Sequence, residues 1–135
     1  MALSADRNTQ SRPGDCFSYP VLTGVTLYAG ALVVLDANGY AKPGVTATGL
    51  IAVGRAEERV SNTGASGSVS VLVRRGVYQY KNSAGADEIT QANVGDDGYI
   101  VDDETVAKTD GTATRSVVGK VMAVDPGGVW VRLGI

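Results

Sequence analysis

The sequence predicts an all-β protein, a small single-domain barrel or sandwich of short strands with little helix, led by an extended N-terminal arm. Three observations predict it. Val, Thr and Tyr recur in short runs of alternating polarity, the pattern of half-buried strands. Eighteen glycines among 135 residues are more than long helices tolerate and suit tight turns. Turn-forming clusters, Asp36-Ala37-Asn38-Gly39 and Asp125-Pro126-Gly127-Gly128 among them, punctuate the runs. A chain of this length builds one core. The expected division is an arm over residues 1–20 and one β domain over residues 21–135.

The arm, MALSADRNTQSRPGDCFSYP, is polar, contains two prolines and shows neither the helical nor the strand period. Phe17 and Tyr19 are its candidate anchors. Residues 21–35, VLTGVTLYAGALVVL, are the longest apolar-rich stretch. They are interrupted by Thr, Tyr and Gly and fall short of the roughly 20 residues a membrane-spanning helix needs. The stretch also lies too far along for a signal peptide, so it is expected to be buried strand. A soluble, unprocessed protein is the corresponding expectation. The strand over residues 25–35 should turn at Asp36–Gly39 and return from Tyr40 until Pro43-Gly44 stops it.

Residues 49–60 give the next strand, apolar at first and charged from Arg55, with room for a helical turn around residues 56–60. Residues 68–80, SVSVLVRRGVYQY, read as one strand with Val69, Val71 and Val73 on a single face. Arg75 takes the next place on that face, where a buried cation needs a partner in the fold or on another chain. Residues 81–97 have no strong period, although Ile89, Ala92 and Val94 fit one short helical face. Two hairpins close the chain, residues 98–101 with 105–108 and residues 116–124 with 129–133, for seven or eight strands in all. Residues 48–55 and 116–121 faintly echo each other as glycine-interrupted strands that must bend. In the last strand Val129, Val131, Leu133 and Ile135 share the apolar face, so Trp130 and Arg132 point the other way.

Little in the chain supports chemistry. There is no histidine, which removes Ser-His-Asp and Cys-His catalysis and His-ligated metals. Cys16 is the single cysteine; it has no disulfide partner and no base beside it, and reads as an incidental thiol. The acids Asp96, Asp97, Asp102, Asp103 and Glu104 lack the spacing of a calcium loop and suit hairpin turns instead. No metal, no cofactor and no catalytic residue is therefore expected. Net charge is −2 without a basic face, so nucleic acid is not an expected partner. Arg74, Arg75, Trp130 and Arg132, with Phe17 and Tyr19, are the candidate interface residues, because Trp and Arg outside a core are enriched at contacts between chains.

The phrases TGLIAVGRAEERV, VLVRRGVYQY and GYIVDDETVAKTDGTATRSVVGKVMAVDPGGVWVRL, in that order, resemble the small structural protein encoded beside the major capsid protein in Mu-like tailed phages. LYAGALVVLDANGYAKPG is similar to the wider group of phage capsid decoration, or cement, proteins. The likeness runs from about Val25 onward and loosely includes MALSADRNTQ; it contains no catalytic motif, so no site residue transfers. It implies a β-tulip-like fold without enzymatic activity. It further implies a homotrimer on the outer surface of the virion, present in the host cytoplasm before assembly, that bridges major capsid protein subunits without a membrane partner. A tail or head–tail junction protein is the structural alternative, and a carbohydrate- or ion-binding β module the alternative of another class.

Overall fold

The computed structural model describes residues 2–135, and almost all of its regular structure is β. Twelve strands occur among the described residues. The first seven are β1 (Cys16–Pro20), β2 (Thr26–Leu27), β3 (Leu32–Leu35), β4 (Ala41–Pro43), β5 (Ile51–Ala56), β6 (Val60–Ser61) and β7 (Ser70–Arg74). The remaining five are β8 (Gly76–Asn82), β9 (Asp97–Ile100), β10 (Thr105–Ala107), β11 (Val117–Asp125) and β12 (Gly128–Leu133). The N-terminal half forms a sheet in the order β1-β7-β5-β3-β4, with a small β2-β6 ladder beside it. The C-terminal half closes into a barrel, β10-β8-β12-β11-β9, antiparallel except where β10 lies beside β8. Among the described residues, no helix is long and apolar enough to cross a membrane.

The two halves share β3. Leu32, Val33 and Val34 are each fully buried, because successive side chains of a strand point to opposite faces and both faces are covered here. Leu32 and Val34 join the barrel core with Ile100, Val106, Val131 and Leu133. Val33 faces the other way, into a second core with Val21, Leu27, Val53, Val71 and Val73. Each such side chain contributes about 1.5–3 kcal/mol by leaving water, so this short strand ties the two cores into one body.

Two glycines make the bends. Val33 pairs with Gly54 and Val34 with Ala52, which leaves Val53 as the extra residue of a bulge in β5. Val117 pairs with Tyr99 and Gly119 with Gly98, which leaves Val118 as its counterpart in β11. A bulge bends its strand and sharpens the local twist. Gly54 and Gly119 hold φ of 155° and 149°. At Gly119 the Arg132 carbonyl oxygen occupies the place where a Cβ would stand. The faint echo between residues 48–55 and 116–121 is thus a repeated device, a valine bulge followed by a glycine.

Several sequence expectations need correction. Residues 68–80 are two strands, because the chain leaves the sheet and enters the barrel at Arg75, whose peptide nitrogen bonds the Asp15 carbonyl at 2.9 Å. Val71 and Val73 are buried, but Val69 is 37% exposed and Arg75 is exposed, so no cation is buried there. Residues 16–20, read as arm, form edge strand β1 on β7, and the described residues ahead of it are 2–15. Residues 25–35 are broken between β2 and β3, and no helical turn forms at residues 56–60, where the chain passes directly from β5 to β6. Residues 81–97 contain two single 3-10 turns, Gly85–Asp87 and Gln91–Asn93, and of the proposed helical face only Ile89 is buried. The Asn82 side chain fixes Ile89, with Oδ1 accepting from its nitrogen and Nδ2 donating to its oxygen. Ile135, expected on the apolar face of the last strand, is 71% exposed. The hairpins β9–β10 and β11–β12 form where expected.

Candidate interaction surface

At the crossing from sheet to barrel three shallow grooves meet around Ile135. The first, of about 410 Å³, lies between Phe17 and Tyr19 on β1 and Val53 and Val73 opposite, with Arg75 at its rim. Register explains this placement: Phe17 pairs with Val73 and Tyr19 with Val71, so both aromatic rings stand on the face that carries the second core. The rings are 6.5 Å apart, and the Arg12 guanidinium stacks on Phe17 at 4.4 Å. The second groove, of about 560 Å³, adds Val77, Arg132 and Leu133. A third, of about 480 Å³, runs between β5 and β11 past Leu50, Ile51, Val117 and Val118.

Of the six residues singled out from sequence, Phe17, Tyr19, Arg75 and Arg132 line these grooves. Arg75 donates through Nη1 to the main-chain oxygen of Ile135, a partner within the fold for a guanidinium that is itself exposed. Arg74 stands beside the grooves. Its Nη1 is 3.4 Å from Asp15 and its Nε 3.8 Å from Glu57. Arg55 faces Arg74 directly across the ladder and shares Glu57 at 2.8 Å, so one carboxylate offsets two like charges. The Glu57 hydrogen bond raises the Arg55 pKa, and burial raises that of Tyr78, the ring on which Arg55 stacks at 4.3 Å. The exposed Arg74–Asp15 pair contributes about 1 kcal/mol at most.

Trp130 serves a different purpose. Its Nε1 donates to Asp125 Oδ2 at 2.8 Å, while Asp125 Oδ1 accepts from Gln79 Nε2 and the Gly127 nitrogen, each at 2.9 Å. The indole bond, above all, holds the Asp125 carboxyl below its usual range. Trp130 braces the β11–β12 turn and does not line the grooves.

The acidic residues are dispersed. Asp97 pairs with Lys120 at 2.8 Å and Glu104 with Lys81 at 2.9 Å, while Asp102 Oδ1 accepts the Glu104 nitrogen as a turn brace. Burial, with Asp102 adding to it, raises the Asp103 pKa. Among the described residues, no group of three or more Asp, Glu or Cys is placed to hold a metal ion. Cys16 is a half-buried free thiol at the start of β1.

Sequence reasoning missed Ile51, Val117 and Ile135, which are 50%, 42% and 71% exposed and line the third groove. Each looks like an ordinary strand residue; the only signal was a turn or bulge glycine close by. No protein-family model, no curated protein and no solved structure matches the chain.

Proposed function

We propose that the chain is a phage capsid decoration protein, a homotrimer on the outer shell that stabilises the head by bridging major capsid protein subunits. The observation that carries this reading is the surface around Ile135. A doubly cored β body presents adjoining grooves edged by Arg75 and Arg132, and an arm whose residues 2–13 are exposed leaves beside the first of them. Such a surface suits contact between chains, where Arg is enriched and aliphatic pockets bury anchors. The choice of partner follows the resemblance of the ordered sequence phrases to Mu-like capsid-adjacent proteins. Three-fold symmetry would combine weak contacts into avidity.

The test is to add the protein to expanded shells that lack it. Saturable binding at hundreds of copies per particle, with a raised temperature of shell disruption, is the expected result. Shells equally robust without the protein would sink the proposal, and a handful of copies per particle would move it to the tail or a vertex.

A further inference from the structure

The third groove differs from its neighbours in having strand edges on both sides that lack ladder partners. β5 pairs with β7 only at Arg55 and Ala56, so Ile51 and Ala52 have β3 alone and the bulge residue Val53 has no ladder partner. β11 meets β12 only from Gly119 onward, so Val117 has β9 alone and the bulge residue Val118 has no ladder partner. Between these edges the lining is mostly aliphatic, from Leu50, Ile51, Val117 and Ile135. Next to it, across Ile135, stand Arg75, whose guanidinium holds the Ile135 main-chain oxygen, and Arg132, which pairs with no carboxylate side chain among the described residues. Together these features specify a ligand: an extended peptide with small aliphatic side chains on alternate residues and a carboxylate close behind them.

We propose that this slot takes residues 2–6 of a second copy's arm as an added strand. The inference rests on the oligomeric part of the proposed function and assigns the arm a place in it. In the extended stretch Ala2-Leu3-Ser4-Ala5-Asp6, Leu3 and Ala5 share one face, and Asp6 follows to meet Arg132. Residues 7–12, RNTQSR, contain nothing aliphatic, so the match is confined to the tip. Leu3 is 74% exposed, and the arm's backbone bonds before Asp15 stay within the arm itself. Arg12 rests on Phe17, in the groove on the other side of Ile135, so the arm leaves its own body away from the slot. From Asp15 to its tip it spans up to about 43 Å when extended, against a radius of gyration of about 14 Å for a domain of this size. A neighbouring body is within reach. Adding a strand to a free edge supplies backbone bonds for affinity and side-chain pockets for specificity.

Leu3→Cys and Val117→Cys, combined in a Cys16→Ser chain and oxidised with diamide, should give covalent multimers on a non-reducing gel that dithiothreitol reverses. A cyclised monomer alone, or no cross-link, overturns the inference. Deleting residues 2–13, and separately Val117→Asp, should each weaken self-association at least tenfold by sedimentation equilibrium with unchanged circular dichroism. Constants within twofold of the parent in both variants also overturn it. The two readings fail separately. A chain that coats shells as a monomer removes the arm exchange and leaves the capsid role, whereas a cross-linked oligomer that ignores shells does the reverse.

Discussion

Replacing Arg75 by alanine separates stability from assembly. Within the chain the guanidinium holds the main-chain oxygen of Ile135, while the bond from the Arg75 peptide nitrogen to Asp15 survives in the variant. Arg75 is exposed, so its side-chain bond competes with water and contributes about 1 kcal/mol at most. Unfolding entropy of about 2.1 cal/mol/K per residue comes to about 0.28 kcal/mol/K for this chain, so the loss lowers Tm by no more than about 4 °C. Truncating an arginine at the centre of an interface typically costs about 2 kcal/mol, or roughly 30-fold in affinity. The expected result is therefore a nearly unchanged Tm, read below the dissociation constant so that association adds nothing. Oligomerisation or shell binding, followed by sedimentation, should weaken by roughly 30-fold. A Tm loss beyond about 10 °C with association unchanged would refute the reasoning and make Arg75 a purely internal brace.

Three further substitutions probe the fold. Asn62 is 2% exposed; its side chain donates to the Val21 and Ala65 carbonyls and accepts from the Gly64 nitrogen and Ser68 hydroxyl. Asn62→Ala should cost about 3 kcal/mol in urea denaturation, because buried partners are left unpaired, and a loss under about 1 kcal/mol contradicts this. Gly119→Ala places a methyl on the Arg132 carbonyl at positive φ and should cost more than about 3 kcal/mol; a soluble variant with the parent Tm refutes the bulge assignment. Tyr80 donates to the Gly30 carbonyl at 3.2 Å, and burial pushes its pKa up. The folded state then holds the phenolic proton where the unfolded chain has released it, so the stabilisation is complete below about pH 10 and fades above it. Tm measured from pH 8 to 11.5 should fall less steeply in Tyr80→Phe, and parallel curves would remove Tyr80 as the cause.

The all-β class, both C-terminal hairpins and the two bending glycine segments were legible because each is written locally, in period-2 alternation, turn chemistry and glycine placement. The break at Arg75 was not. Alternation runs on through residues 68–80, and a strand that changes sheets keeps the same extended backbone; only the long-range bond to Asp15 reveals the crossing. Likewise residues 16–20 carry no strand period of their own, and β7 supplies the partner that makes them β1. Phe17, Tyr19, Arg75 and Arg132 stood out because each breaks a pattern. Ile51 and Val117 fit theirs, and they are exposed because ladders stop beside them, which is a property of pairing and not of composition.

That last point bears on assembly. Exposed strand edges invite unwanted pairing, and proteins guard them with short strands, proline, charge or closure. Here β1 has five residues and ends in Pro20, β4 has three and ends in Pro43, and the barrel closes on itself. The slot between β5 and β11 is guarded less: its edges carry Ile51 and Val117, and the charged residue in its lining, Arg115, is paired with Asp87. A chain that protects its other edges and leaves this one aliphatic and open is built as if a strand arrives there. The arm is the stretch of described backbone long enough to supply one and left without a partner in its own fold.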